Sequence, residues 1–336
     1  MAGEAVADAV AEVPLVDSGH LTSVDVYITS QCNRRCTYCF LTADFLASRT
    51  HMSIDLYDRI LAWSRKHGAG EITLLGGEPS LHPEFTKMVT MAHGAGMNVR
   101  VVTNGTKRFR RLIESLEIGP DQLSRVAVSL DSIHEEVQDS LRGPRAWRDA
   151  RATIDLLNEN GIPFDINVTA LRSVLGGVES LIEFAGNVGC RRLNIHWPSA
   201  IGLGRQLPAD EMPDQGEWMD LVRRIDGRTE PRAGFFVEIE RGFLTGNEKL
   251  TGCALTDFSN LQIFPDGRSY RCGLLVDRPG MASLAMTGDD LVFIQRESGE
   301  ERLASAMTSS RRSCPAVKSQ DRRACIYDKV SSTLRP

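Results

Sequence analysis

The sequence predicts an α/β protein built on a parallel sheet, and three observations lead to that fold class. Short apolar runs alternate with longer segments of helical period as far as about residue 230 of the 336. The apolar runs are rich in β-branched residues, as buried parallel strands are. The segments between them have recognisable helix ends. Together these features indicate six consecutive β-α units with right-handed crossovers.

Six runs are predicted to be strands, and each is followed by a predicted helix. The strands are Val24–Thr29, Ile72–Leu75, Val99–Thr103, Val126–Leu130, Phe164–Thr169 and Leu193–His196. The first helix has the clearest ends, because Ser53 can cap a segment that runs to Lys66 and stops at Gly68. The later helices are predicted at Glu84–His93, Arg108–Leu116, Ala146–Asn160, Gly177–Asn187 and Gln215–Ile225.

The pattern changes near Arg232, where short strand-like runs and turns replace the β-α alternation. Leu261–Phe264 and Ser269–Cys272 flank an Asp266-Gly267 pair, which is a hairpin signal. We therefore expect an N-terminal extension over residues 1–22, a β/α domain over 23–231, and a small cysteine-bearing appendage of β-hairpin and helix over 232–336.

Composition and charge exclude several classes of function. Hydrophobic residues make up 42% and charged residues 25%, which is typical of a globular protein, and the net charge of −5 offers no basic surface for nucleic acid. No apolar run reaches the roughly 18 residues of a membrane helix, and the acidic N-terminus is unlike a signal peptide. We expect a cytoplasmic protein with neither nucleic acid nor membrane as a partner. In that compartment, eight clustered cysteines indicate metal binding or catalysis.

Three cysteines follow the first predicted strand directly. Cys32, Cys36 and Cys39 have the spacing CxxxCxxC, on a loop at the carboxyl end of that strand. Three thiolates can bind three irons of a [4Fe–4S] cubane and leave the fourth iron open for a non-protein ligand. The same spacing also allows a zinc site whose fourth ligand lies elsewhere.

The next three strands also end in polar or glycine-containing turns. Gly76-Gly77-Glu78-Pro79 follows the second strand, Thr103-Asn104 ends the third, and Ser129 and Asp131 lie at the end of the fourth. Parallel barrels keep their sites at this face of the sheet. Two glycines allow close approach of backbone to a ligand, and the Glu78 carboxylate can accept hydrogen bonds from an ammonium group.

These motifs together resemble those of the radical S-adenosylmethionine (SAM) superfamily. The loop resembles the CxxxCxΦC signature with Tyr38 at its aromatic position, which borders the adenine in the family, and Gly76–Pro79 resembles the GGE motif, which engages the methionine amino group. The resemblance covers residues 24 to about 230 and implies a partial (β/α)6 TIM-like barrel. It also makes Thr103, Asn104, Ser129, Asp131, Arg142 and Asn167 candidates for binding SAM, although a salt bridge or a strand-end hydrogen bond explains Arg142 and Asn167 equally well.

The resemblance implies a specific chemistry. A reduced [4Fe–4S] cluster on Cys32, Cys36 and Cys39 cleaves SAM, and the 5′-deoxyadenosyl radical abstracts hydrogen from a substrate. The electron would come from an external reductant of the flavodoxin or ferredoxin type. The cofactor supplies the difficult chemistry, while the protein orients the reactants and excludes water.

A second group of cysteines lies in the predicted appendage: Cys253, Cys272, Cys314 and Cys325. The first pair, with Gly267 between, resembles the opening of SPASM and twitch modules, which bind auxiliary [4Fe–4S] clusters. The full SPASM pattern is not met after Cys314, so a twitch-like module with one second cluster is expected; structural zinc or unligated thiols remain the alternative. Cys190, placed on the helix before the sixth strand, is expected to be a buried core residue.

Substrate-binding candidates are His196 and Trp197 after the sixth strand, followed by Glu238 and Arg241. Ordinary packing and solvated ion pairs explain these residues at least as well. With only about 22 residues before the first strand, we expect a small-molecule substrate such as a sugar, aminocyclitol or nucleoside of antibiotic biosynthesis, oxidised with help from the auxiliary cluster. The alternatives are a peptide maturase that makes a crosslink or epimer, a redox-neutral decarboxylase or epimerase with one cluster, and a non-catalytic metal-binding protein.

Overall fold

The computed structural model describes residues 21–226, 234–239, 260–273, 276, 282 and 284–293. The strands are β1 (Ser23–Thr29), β2 (Glu71–Gly76), β3 (Asn98–Thr103), β4 (Arg125–Ser129), β5 (Phe164–Thr169), β6 (Arg192–His196), β7 (Phe236–Ile239), β8 (Asn260–Ile263), β9 (Arg268–Tyr270), β10 (Leu284–Thr287) and β11 (Asp290–Phe293). The helices are α1 (Ala43–Ser48), α2 (Ile54–Lys66), α3 (Phe85–Gly94), α4 (Lys107–Glu114), α5 (Glu135–Arg142), α6 (Ala146–Glu159), α7 (Arg172–Leu175), α8 (Val178–Asn187) and α9 (Gln215–Asp226).

These strands form one sheet in the order β11-β10-β9-β8-β1-β2-β3-β4-β5-β6-β7. The strands from β8 through β1 to β7 are all parallel, and β9, β10 and β11 continue the sheet in antiparallel pairs. The sheet is not closed, since its ends at β7 and β11 do not pair with each other. The six predicted β-α units and the α/β class are confirmed.

The structure adds strands that the six-unit prediction lacks. β7 pairs with β6 as a seventh parallel strand in chain order. The predicted hairpin forms from β8 and β9, but β8 lies parallel to β1, with Ser23 opposite Asn260. Leu261 and Ile263 are buried in the main core. The hairpin therefore extends the central sheet, because two inward apolar residues of β8 share the core of the β/α units.

Helix ends follow local chemistry. The Ser53 side chain accepts a hydrogen bond from the backbone of Leu56 and caps α2, as predicted, while Arg65 and Lys66 lie in its last turn and complement the helix dipole. The helix predicted to reach Leu116 ends earlier, at Glu114, and Leu116 itself has a positive φ of 56°. Sequence reasoning missed α1, α5 and α7, which are short and sit in connections.

The two faces of the sheet differ in chemistry. Residues such as Val26, Val101 and Ile166 are fully buried against the helices in the main core. Several residues that alternate with them are polar or charged, and Arg100 and Asp165 meet on that other face at 3.8 Å. Among the described residues, no helix has the length and apolar character needed to cross a membrane.

Candidate active site

The loop that connects β1 to α1 carries Cys32, Cys36 and Cys39. All three side chains are partly buried and none forms a disulfide. The Cys39 N–H donates to the Cys36 carbonyl at 3.2 Å, and Thr37 N donates to the Leu141 carbonyl at 3.0 Å. No three His, Cys, Asp or Glu side chains in the described part converge on a single-ion site. A cubane does not require such convergence, because each thiolate binds its own iron.

Burial sets the protonation of these thiols. Desolvation raises the pKa of Cys32 to about 12 and that of Cys39 to about 11, and it also raises the pKa of Cys36. Ligation to a metal must therefore displace protons from all three. Two donors already face one sulfur, since Arg34 N lies 3.4 Å and Asn104 Nδ2 lies 3.8 Å from Cys32 Sγ.

The glycines of the Gly76–Pro79 turn have a packing role. A Cβ on Gly77 would lie 2.4 Å from the carbonyl oxygen of Gln31, and one on Gly76 would lie 2.3 Å from that of Thr29. Glu78 N also donates to Gln31 O at 2.8 Å. The backbone that approaches these glycines closely is therefore the start of the cysteine loop, so the turn after β2 holds that loop in place.

Glu78 is buried, and its carboxylate links the turn after β2 to the end of β3. Its Oε1 accepts hydrogen bonds from Ser80 Oγ at 2.7 Å and Thr103 Oγ1 at 2.9 Å, and its Oε2 accepts from Asn104 N at 2.8 Å. Burial raises the pKa of Glu78, and these donors oppose that shift. These donors fix the Glu78 carboxylate at the end of β3, and its role toward an ammonium ligand stays a prediction.

Asn104 is the next residue, and it joins the strand end to the cysteine loop. Its amide nitrogen donates to Asn33 Oδ1 at 3.0 Å and approaches Cys32 Sγ. Its amide oxygen is buried with no hydrogen-bond partner among the described residues. A buried acceptor without a partner is costly, so this oxygen indicates a place for a ligand donor beside the cysteine loop.

Tyr38, Asp131 and Arg142 form a buried network that anchors the other side of the loop. The Tyr38 hydroxyl donates to Asp131 Oδ2, Arg142 Nε donates to the same oxygen at 2.6 Å, and Thr169 N donates to Oδ1 at 2.9 Å. The Arg142 guanidinium also lies 5.2 Å from the centre of the Tyr38 ring. Burial raises the pKa of Tyr38. The sequence allowed a surface salt bridge for Arg142, whereas the ion pair is buried.

A residue that sequence reasoning missed supports this network. Gln138 on α5 is fully buried, and its Oε1 accepts hydrogen bonds from Asp131 N at 2.8 Å and Ser132 N at 3.2 Å. Its amide nitrogen lies 3.4 Å from the Ser129 carbonyl. Gln138 thus fixes the turn after β4. In the sequence, nothing distinguishes it from other polar residues of a helix.

β5 and β6 carry further polar side chains. Asn194 Nδ2 donates to Asn167 Oδ1 at 2.8 Å, and Asn194 is nearly buried while Asn167 is half-buried. His196 lies opposite Thr169 in the strand register and is half-buried. The hydrogen bond of Asn167 is therefore made within the sheet, where Asn167 lies opposite Asn194, and not at the end of the strand.

The predicted substrate residues do not all lie together. Trp197 is buried in the main core, with its ring edge-on to Trp218 at a centroid distance of 4.9 Å. Glu238 forms a largely exposed ion pair with Arg192 at 3.0 Å and lies opposite Asn194 in the strand register. Arg241 lies outside the described residues. Of the predicted substrate residues that the structure describes, His196 ends β6 at the carboxyl edge of the sheet.

The connection after β6 crosses to the cysteine loop. Leu203 N donates to the Leu41 carbonyl at 3.2 Å, and Gly204 N donates to the Cys39 carbonyl at 3.1 Å. A Cβ on Gly202 would lie 2.2 Å from the Phe40 carbonyl oxygen. The segment after β6 therefore packs directly against the cysteine loop that follows β1. Its glycines are needed for this close contact.

In the predicted appendage, Cys272 is described and buried. It belongs to a small apolar cluster with Tyr27 and Phe264, against which Cys32 and Cys39 also pack. Cys253, Cys314 and Cys325 lie outside the described residues, so the second cluster stays a prediction. Cys190 is buried as expected, but it lies after α8 rather than on it.

The fold and the site define a class of protein: an open parallel β/α sheet with three thiols on the loop after its first strand. Residues 26–185 match the model of the Radical SAM superfamily, and the chain therefore carries a radical SAM domain. Members of this superfamily are enzymes that bind a [4Fe–4S] cluster and SAM.

The proteins that are similar in sequence to this chain are named for different products. The antilisterial bacteriocin subtilosin biosynthesis protein AlbA of Bacillus subtilis is 24% identical over 201 residues, which cover 59% of this chain and 44% of AlbA. The AdoMet-dependent heme synthase of Methanosarcina barkeri is 26% identical over 186 residues, covering 55% and 52%. The chain spans about half the length of the curated relatives it matches.

The fold is shared with a solved structure. SuiB of Streptococcus suis, bound to the precursor peptide SuiA, superposes with a TM-score of 0.65 at 15% identity, covering 79% of this chain and 62% of SuiB. At this identity, the likeness establishes the partial barrel fold alone.

Proposed function

We propose that the chain is a radical SAM enzyme that holds a [4Fe–4S] cluster on Cys32, Cys36 and Cys39. The observation that carries this proposal is the position of the three thiols. They lie on one loop at the carboxyl edge of the sheet, partly buried and outside any disulfide. The turn at Gly76–Gly77 and the network around Asp131 hold this loop from two sides.

The donor set fits both cofactors. Three thiols suit three irons of a cubane, and the unpartnered amide oxygen of Asn104 offers an acceptor for the methionyl ammonium of SAM. We assign Tyr38, the Gly76–Pro79 turn, Ser129 and Asn167 to the surroundings of SAM as well. A reduced [4Fe–4S] cluster held on these three thiols would supply the electron for cleavage of SAM and, through it, hydrogen-atom abstraction from the substrate.

The chain's own residues fix the geometry of the site and limit the access of water to it. Glu78 and Thr103 fix the end of β3, and Asp131 with Arg142 fixes Tyr38. The segment that contains Gly204 spans the mouth of the sheet at the cysteine loop and limits access of water. Water must be kept away because it competes with the intended reaction of a radical.

The test is the amount of iron and acid-labile sulfide per chain after anaerobic reconstitution, together with 5′-deoxyadenosine formation. We expect about eight irons in the wild type if Cys272 contributes to a second cluster. A variant with Cys32, Cys36 and Cys39 all replaced by Ala should then hold about four irons and should not cleave SAM. A Cys190→Ala variant is the matched control and should keep both. SAM cleavage by the triple variant, or zinc without iron in the wild type, would refute the proposal.

For the substrate, we propose a polar small molecule such as a sugar, an aminocyclitol or a nucleoside, oxidised with help from the second cluster. The polar side chains of Asn194 within β6 and of His196 at its carboxyl end support this proposal. Peptide maturation is the second candidate, and the relationship to AlbA favours it. The heme synthase relative shows that a similar domain also occurs in a protein named for a small-molecule product.

Deuterated compounds from each class distinguish these candidates. Transfer of deuterium into 5′-deoxyadenosine from a small molecule supports the first candidate, and transfer from a peptide supports the second.

A further inference from the structure

Arg34 is the buried one of two adjacent arginines within the cysteine loop. It is 7% exposed, whereas Arg35 is exposed. Its guanidinium donates to the Pro144 carbonyl at 2.7 Å and to Asp149 Oδ2 at 2.6 Å. Since Pro144 and Asp149 flank and begin α6, Arg34 fastens the cysteine loop to the start of that helix.

Asp149 is shared with a second arginine. Arg110 on α4 donates to Asp149 Oδ1 at 3.1 Å and to the Gly105 carbonyl at 2.6 Å. The side chains of Arg34, Arg110 and Asp149 are 6%, 13% and 16% exposed. Both guanidinium groups stay protonated, so one carboxylate faces two positive charges. Neither arginine pairs with another carboxylate in the described part of the chain.

Arg34 lies on the same loop as the proposed cluster ligands. It follows Cys32 by two residues, its backbone N–H lies 3.4 Å from Cys32 Sγ, and its guanidinium extends from the loop to the start of α6. Its Nε is buried without a hydrogen-bond partner among the described residues, so protein groups do not fully compensate this guanidinium. Because the surroundings are poorly solvated, charge interactions there are stronger than in water.

We propose that Arg34, Arg110 and Asp149 form a charge triad that holds one net positive charge against the cluster and raises its reduction potential. Reduction adds one electron, and thus one negative charge, to a cluster that three thiolates already make negative. A nearby positive charge favours that reduced form, and net charge is one of the determinants of cluster potentials. Arg34 and Arg110 raise the potential, and Asp149 lowers it. The inference rests on the proposed function, because it requires a redox-active cluster.

The sign of the change in reduction potential distinguishes this electrostatic role from a purely structural one. The three residues share one set of ion pairs, so Arg34→Gln, Arg110→Gln and Asp149→Asn all break the clamp. If the triad only holds the loop, the three changes act alike. If its charge matters, removal of an arginine and removal of the aspartate shift the potential in opposite directions.

The experiment is a redox titration of the reconstituted protein, followed by the electron paramagnetic resonance signal of the reduced cluster. We expect a lower midpoint potential for Arg34→Gln and Arg110→Gln, and a higher one for Asp149→Asn. Arg34→Lys keeps the charge but loses the forked hydrogen bonds, so its potential should match the wild type while its melting temperature falls. Arg172→Gln, which removes a surface partner of Glu217, is the matched control and should change nothing.

Shifts of the same sign in all three charge variants, or no shift in any, would overturn the charge triad. If Arg34→Gln cannot retain a cluster, Arg110→Gln and Asp149→Asn still give the two opposite signs. A wild-type protein that shows no reducible cluster contradicts the proposed function itself, which distinguishes that failure from failure of the triad.

Discussion

Asp131 and Asp165 are two buried carboxylates with different surroundings, although each is only 1% exposed. Asp131 follows β4 at the carboxyl edge of the sheet and accepts directed hydrogen bonds from Tyr38, Arg142 and Thr169. Asp165 lies near the start of β5. It has ion-pair partners in Arg125 at 3.2 Å and Arg100 at 3.8 Å, yet neither of its oxygens has a hydrogen bond in the described part of the chain.

The difference separates the site end of the sheet from its opposite end. Asp131 accepts hydrogen bonds of defined geometry from each of its partners. These bonds fix the positions of Tyr38 and of the cysteine loop. Around Asp165, the arginines balance the charge of the carboxylate without hydrogen bonds that fix its orientation. These arginines keep partial contact with water. The first arrangement suits a site that must hold a cofactor, whereas the second suits charge neutralisation inside an open sheet.

The largest effect is expected for Asp131→Asn. The change leaves the Arg142 guanidinium buried without its carboxylate, and breaking a buried pair in this way costs about 3–5 kcal/mol. Denaturant unfolding measures the loss. Asp220→Asn is the control, because its pair with Arg223 is exposed and should change the free energy of unfolding by less than about 1 kcal/mol. Equal losses in the two variants would contradict the distinction between the buried network and a surface pair.

An intermediate effect is expected for Gly77→Ala, at the site end. The added methyl group would lie 2.4 Å from the Gln31 carbonyl oxygen and must push the cysteine loop away, at a cost of about 1–3 kcal/mol. Iron content after reconstitution should fall with stability. Gly94→Ala at the end of α3 meets nothing within 4 Å and should be neutral or slightly stabilising. Full iron content in Gly77→Ala would show that the glycine is not needed to place the loop.

The smallest effect is expected for Asp165→Asn, at the opposite end. Arg125 keeps Glu71 at 3.2 Å as a second partner, and the change removes a buried charge, so the free energy of unfolding at neutral pH should change by about 1 kcal/mol or less in either direction. Burial raises the pKa of Asp165 above its ordinary 3.8, so the folded state binds this proton more tightly than the unfolded state does. Wild-type stability relative to Asp165→Asn should therefore fall as pH rises from 3.8 through the raised value. Unfolding at several pH values measures this, and the opposite slope would contradict the sign of the shift.

Much of the fold and part of the site could be predicted from local patterns. The six strands lie within a residue or two of their predicted ends, because short β-branched runs between capped helices leave few alternatives. The cysteine loop was found from its spacing and its place after the first strand, and the Gly76–Pro79 turn from its place after the second strand; the resemblance to the radical SAM motifs gave both their functional interpretation. The joining of β8 to β1 was not, because nothing within the hairpin indicates which distant strand it will pair with.

By itself, the sequence determined the fold class, the order of the β-α units and the three thiols on one loop, since these depend on residue type and short-range spacing. The tertiary structure alone decided which polar groups meet. It gave Glu78 and Asp131 their hydrogen-bond donors, buried Trp197, paired Glu238 with Arg192, and paired Arg34 with Asp149 across 115 positions. The physical reason is that a buried charge takes its partner from whatever the fold brings within hydrogen-bond distance, and sequence spacing does not encode that distance.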